Sequence, residues 1–220
     1  MRLILYVIMC AVMLASAAAD GRCAQQIPDK SFETLQDVFT LVRERLWDAN
    51  DVFWHAGDYD RCIAMMRLVV KVDPYDTQAY GDGAWLMENQ LREKDAEAFL
   101  LDGLKRNPDD YDIYFELGRF YYLRMRYDEA VAYLETAASF ENPVFVGHQL
   151  AHALEKWGGT TDALSVWLEL EALYPMDPVP PAQIDRILQG GPASVVPEMM
   201  TQSREHRKAL ESGAETSESR

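Results

Sequence analysis

Residues 111–143 read YDIYFELGRFYYLRMRYDEAVAYLETAASFENP, and this stretch decides the fold. Tyr114, Leu117 and Tyr121 stand three and four residues apart, the spacing that gathers side chains on one face of an α-helix. Ala130, Leu134 and Ala137 repeat that spacing further on, so a second helix follows the first. Gly118 on the first helix and Ala130 on the second are small enough to let the two backbones cross closely, and a large side chain at either place would push them apart. Pro143 then stops the second helix, because it lacks an amide hydrogen and disfavours the helical conformation in the residue before it. One such hairpin cannot bury its own apolar faces, so neighbours of the same kind are expected on both sides.

Those neighbours are legible. Upstream, residues 77–110 carry Tyr80, Gly83, Ala84, Met87, Ala96, Leu100, Gly103 and Pro108, and residues 43–76 carry Leu46, Phe53, Cys62, Met66, Val69 and Pro74. Downstream, residues 144–177 carry Leu150, Ala151, Leu154, Gly158, Ala163, Trp167, Leu170 and Pro175. Pro74 and Pro108 are 34 residues apart. The expected close-crossing pairs are Asn50/Cys62, Ala84/Ala96, Gly118/Ala130 and Ala151/Ala163. Asn50 departs from the small apolar pattern and needs a hydrogen-bond partner if buried. Gly147 stands where the other units have an aromatic or leucine, and the third unit is one residue short before Val144.

This phased set resembles the tetratricopeptide repeat, a helical hairpin of roughly 34 residues that stacks side by side. The resemblance covers residues 43–177 and implies an all-α, right-handed solenoid of four hairpins, 43–76, 77–110, 111–143 and 144–177. An additional N-terminal helix is expected within residues 20–42, since Phe32, Leu35, Val38, Phe39 and Val42 keep helical spacing and Ser31 can cap its start. It runs on as one long helix or breaks softly into two. Pro178, Pro180 and Pro181 suggest an extended connector, and Pro181 to Gln189 a short helix whose Ile184, Ile187 and Leu188 cover the last repeat. Residues 190–220 are poor in aromatic residues and mixed in charge, the composition of a disordered tail.

Residues 1–19, MRLILYVIMCAVMLASAAA, have a basic start, an apolar run and small residues at Ala17 and Ala19, the pattern of a secretory signal cleaved before Asp20. An uncleaved anchor is the competing reading, and the apolar run is short for it. The expected location is therefore secreted or periplasmic, with no membrane insertion after cleavage. Export leaves Cys23 and Cys62 in the mature chain. They either form one disulfide, or Cys62 serves only as a small packing residue. A net charge of −15 disfavours nucleic acid and anionic lipid and suits basic partners or plain solubility.

The resemblance also implies that the first helix of each repeat lines a concave groove. By matching position, the inward residues are Trp47, Asp51, Trp54 and His55 in the first repeat and Gln78, Trp85, Glu88 and Asn89 in the second. Phe115, Arg119 and Tyr122 follow in the third, and Phe145, His148, His152 and Glu155 in the fourth. Aromatic rings and arginine are the types that concentrate binding energy, so a peptide or helix of another protein is the expected guest. The alternatives are a glycan or other small ligand held by Trp47, Trp54 and Trp85, self-association, and simple packing of these rings against neighbouring repeats. His148 and His152 share one helical face with Glu155, a geometry that could hold a metal, but no glutamate lies between them in a HExxH arrangement. No nucleophile elbow, phosphate loop or dinucleotide fingerprint is present, so no catalytic residue, metal or cofactor is assigned.

Overall fold

The computed structural model describes residues 29–193. The leader, Cys23 and the tail from residue 194 lie outside the described residues, so the signal, the Cys23–Cys62 pairing and the disordered tail remain expectations. Nine helices and no strand occur among the described residues. The helix α1 spans Asp29–His55 without a break, which answers the choice between one helix and two. It starts ahead of Ser31, so Ser31 lies in its first turn and is not its cap. The stretch through Leu41 and the stretch from Val42 are separate compact units. In the first, Leu35, Val38, Phe39 and Leu41 are all exposed.

From Val42 onward the hairpins follow the expected phase. The end of α1 is joined to α2 (Tyr59–Val72), α3 (Thr77–Asn89) to α4 (Glu93–Arg106), α5 (Tyr111–Leu123) to α6 (Tyr127–Ala138), and α7 (Val144–Trp157) to α8 (Thr160–Leu173). Each later hairpin packs its two helices together and against the next, α2 on α3, α4 on α5 and α6 on α7. The result is an all-α solenoid of stacked hairpins with a short closing helix, α9 (Val179–Leu188), against α8.

The small residues lie where the helices cross. Cys62, Ala84, Ala96, Ala130, Ala151 and Ala163 are completely buried. A Cβ on Gly118 would come within 2.5 Å of Leu134 Cγ and 3.3 Å of the Ala130 carbonyl oxygen, both deep in the core. Gly147 has a different reason for being small. A side chain there would meet Leu170 at 2.7 Å, so Leu170 fills the space an aromatic ring would take. The fourth hairpin thus keeps its seat on the third. The Asn50 misfit is real: its Oδ1 is buried without a hydrogen-bond partner, while the Cys62 thiol points 3.8 Å from the Asn50 carbonyl oxygen. Burial, and then the charge of Asp58, raise the Cys62 thiol pKa.

Turns and ties follow the same period. The residue in left-handed conformation after each leading helix is Gly57, Leu91, Met125 and Gly158 in turn, with φ of 70°, 62°, 59° and 103°. Asp76 caps α3 by accepting from the Ala79 amide, and its other oxygen accepts from Trp47 Nε1 at 3.1 Å. Asn107 Nδ2 donates to the Gly103 and Pro74 carbonyls, which ties the end of the second repeat to the end of the first.

The closing helix differs from its expectation in two ways. It begins at Val179, so Pro180 and Pro181 sit in its first turn, where the missing amide hydrogen costs nothing, and not in an extended connector. Ile184 and Ile187 pack with Ala151, Trp167 and Leu170, but Leu188 is 69% exposed and covers nothing.

Two stability effects of opposite sign follow. Gly118→Ala forces a methyl into the Leu134 side chain and should destabilise by about 1–3 kcal/mol. Asn50→Ala removes a buried oxygen without a partner and supplies a better helix former, so it should stabilise by about 1 kcal/mol. Denaturant midpoints of the two variants against the parent chain check both signs.

Candidate functional site

The leading helices carry the candidate site. Those of consecutive repeats touch one another, α3 with α5 and α5 with α7, and so form one continuous wall. Residues 34 apart take equivalent places on this wall, which orders it into rows.

The aromatic residues divide into open and closed sets. Trp54 and Trp85 are 41% and 44% exposed, with ring centroids 5.8 Å apart, and Tyr59 meets Trp54 edge-on at 5.7 Å. Phe115 and the exposed Phe145 form a second pair at 4.9 Å. Asn89 donates from Nδ2 to the Trp85 carbonyl, and the exposed Asp51 and His55 pair with each other at 3.5 Å. Trp47 is half-buried, bonded to Asp76 and packed near Met66 and Val69, so it braces the first two repeats. Tyr122 is buried against Tyr127 and is not part of the open surface.

Two expected groove residues are interior ion-pair members. Glu88 is only 5% exposed and accepts from Arg119 Nη2 and Arg124 Nη1, both at 3.0 Å. Arg119 also donates to Glu116 at 2.8 Å, and Arg124 lies over the Phe120 ring at 3.5 Å. Two carboxylates around Arg119 raise its pKa further, against the opposing effect of burial, so it stays charged. A glutamate at a wall position reads as a surface residue in sequence, and only the fold shows two arginines closing over it.

The acidic rows were passed over in the sequence. Asp48, Asp82 and Glu116 follow one another at intervals of 34 residues, and Glu44, Gln78 and Asp112 do the same one turn earlier. That interval was the signal that could have found them. Asp82 and Asp112 are both held above the usual carboxylate range, first by desolvation and then by neighbouring acids, Glu116 foremost. Neutral donors, Gln78 to Asp82 and Thr77 to Asp112, offset part of this. At the start of the rows an open depression of about 440 Å³ is lined by Glu44, Asp48, Asp73 and Asp76, with Arg43 bound to Asp73 at 2.9 Å.

At the other end, His148 and His152 both lie against the buried Trp167, with centroids 5.4 and 5.1 Å away. His148 Nε2 is 2.8 Å from Asp177, and Glu155 is held by Arg186 through both oxygens at 2.8 and 2.6 Å. Each of the three side chains that were candidates to hold a metal is thus turned toward a protein partner. No group of three or more acidic, histidine or cysteine residues arranged for a metal occurs among the described residues.

Comparison with known proteins bears on the fold. Residues 99–132 match the tetratricopeptide-repeat family model, a window one period long that straddles the second and third hairpins. The chain carries tetratricopeptide repeats. Among solved structures, a protein titled PilF from Pseudomonas aeruginosa is similar at 15% identity and a TM-score of 0.58, covering 80% of this chain and 78% of that one. TTC0263, a tetratricopeptide-repeat protein of Thermus thermophilus, is similar at 17% identity and 0.55, covering 80% and 95%. YrrB, described as a repeat protein with an unusual peptide-binding site, is similar at 16% and 0.51, covering 76% and 89%. At such identities the likeness is one of fold. No curated protein matches by sequence.

The repeat end around Trp167 is expected to be acid-sensitive. Burial first, with Arg186, His148 and Lys156 acting the same way and Glu155 opposing, lowers the His152 pKa to about 4. Because the folded value lies below the ordinary 6.5, neutral His152 contributes stability that is present above about pH 6.5 and is lost as pH falls toward 4. The melting temperature should therefore drop through that window, and His152→Gln should flatten the drop while leaving the unfolding free energy at neutral pH within about 1 kcal/mol of the parent chain's.

Proposed function

We propose that this chain is a non-catalytic protein-interaction module whose leading helices hold an extended peptide or a helix of a partner protein. The observation that carries this reading is the exposed Trp54–Trp85 pair, two large rings touching each other and open to solvent on a wall shared by successive repeats. Burying such rings contributes more per residue than any other contact type available on this surface, and tryptophan heads the residues at which interfaces concentrate their energy. Phe115 and Phe145 form a second aromatic pair, on the leading helices of the third and fourth repeats. The description of YrrB as having a peptide-binding site supports the same use of the fold. A wall that runs from one leading helix to the next suits an extended guest.

Residues 1–19 support action outside the cytoplasm, in the periplasm or beyond the cell, after removal of the leader. The net charge of −15 argues against nucleic acid as the partner. A glycan platform is weakened by the commitment of Trp47 to Asp76 and by the 38° tilt between Trp54 and Trp85, which leaves no flat stacking surface.

Selection of peptides from a displayed library on the full chain tests this reading. The selected peptides should bind the parent and lose at least about tenfold in affinity to the Trp54→Ala, Trp85→Ala double variant, about 1.4 kcal/mol or more. Unchanged binding would remove the wall as the site.

A further inference from the structure

We infer that the groove between α2 and α4 binds a small organic carboxylate with an apolar ring or chain, at a site that shares none of the wall residues described above. Both helices pack on α3, and between them lies an open depression of about 540 Å³. That volume is in the range of small-ligand sites. One face of each helix lines it. On α2, Arg67 stands three and four residues before Val70 and Lys71, and Phe99, Asp102 and Arg106 follow the same kind of spacing on α4.

The floor is aromatic, with one polar group left open. Tyr80 of α3 meets Phe99 with ring centroids 4.9 Å apart, and a Cβ on Gly103 would come within 2.8 Å of the Tyr80 ring. The absence of a side chain at Gly103 is therefore what lets the ring lie against α4. Tyr80 is 1% exposed, and its hydroxyl makes no hydrogen bond with any described residue. Buried hydroxyls are seldom left so. This one borders the depression, where the oxygen of a ligand can accept from it. Burial, and then the charge of Asp102, raise its pKa while Arg106 opposes, so the hydroxyl keeps its proton and remains a donor.

The rim is cationic in a chain whose net charge is −15. Three basic side chains, Arg67, Lys71 and Arg106, line the depression against a single carboxylate, Asp102. Lys71 and Arg106 are exposed and form no ion pair among the described residues. Arg67 is 3.7 Å from Asp95, which Arg92 already holds at 2.8 Å. By contrast, Arg119, Arg124, Arg126 and Arg186 each hold a carboxylate of another helix. A carboxylate head fits such a rim, since the arginine fork presents two parallel N–H donors to it. The negative field of the whole chain penalises a doubly charged head more than a singly charged one. Val70, Tyr80 and Phe99 then cover the apolar remainder of the ligand.

Titration of the full chain with phenylbutyrate, followed in proton–nitrogen correlation spectra, tests this. The shifts should saturate with a Kd of about 1 mM, the strength expected of a ligand this small. They should map to Val70, Lys71, Gly103 and Arg106, while the indole signals of Trp54 and Trp85 stay in place. The neutral phenylbutyramide should bind at least about tenfold more weakly. The double variant Lys71→Gln, Arg106→Gln should lose about tenfold in affinity, and Tyr80→Phe, which keeps the ring, about threefold. The inference is overturned by no saturable shift up to about 10 mM, tenfold above the expected Kd, by equal binding of the amide, or by unchanged affinity in either variant. Shifts that map to the wall would overturn it too. Peptide binding that depends on Trp54 and Trp85 involves none of these residues and stands or falls by itself.

Discussion

The whole stack depends on how closely two helices of a hairpin can approach. Gly118 against Leu134 and Ala130 shows the margin, since there is no room for one methyl group at the crossing. Close crossing turns the remaining apolar side chains outward, toward the neighbouring hairpins, where Tyr80, Ile113, Leu117, Phe120 and Leu134 join one continuous core. Each hairpin is thus stable only because the next one covers it, and cohesion passes along the chain from one neighbour to the next. Where the crossing residue is wrong, as at Asn50, the penalty stays local, an oxygen without a partner in the first repeat.

The wall inherits its chemistry from this packing. Side chains at equivalent positions are lined up by the 34-residue repeat, so whatever type recurs becomes a row. Acids recur at 48, 82 and 116, and two of them are held by arginines of their own helices, Asp48 by Arg45 and Glu116 by Arg119. The same alignment places Glu88 under Arg119 and Arg124, where a buried carboxylate is tolerable because two guanidinium groups are within hydrogen-bond distance. Interior ion pairs of this kind add little net stability compared with apolar packing, and a slip between repeats would leave Glu88 buried and unpaired. A second clamp of the same design, Arg186 on Glu155, fixes the closing helix and completes the far end.

Much of this was legible from residue spacing. The hairpins, their phase, the small crossing residues and the misfit at Asn50 follow from apolar periodicity and the recurrence of glycine, alanine and proline, which act through local sterics. Trp54 and Trp85, two of the expected groove residues, are exposed on the leading helices. Other wall residues were misread, because position on a helix does not say how far a neighbour reaches over it. Glu88 and Tyr122 share the register of exposed residues yet are covered, one by arginines from the next repeat and the other by Tyr127. Pro180 was read as part of an extended connector ahead of a helix starting at Pro181, and only the helix start at Val179 shows that both prolines occupy the one turn where proline is harmless.

The sequence by itself determined that helices form, where they turn and that they must stack, since each of these is set by the backbone preferences and the apolar spacing of residues near one another in the chain. Tertiary structure alone decided which polar groups are spent on holding repeats together and which remain open. Trp47 went to Asp76, Asn107 to the Pro74 carbonyl, His148 to Asp177 and Glu155 to Arg186. The physical reason is range: each of these partners lies 29 to 33 residues away along the chain and becomes a neighbour only when one repeat is laid on the next.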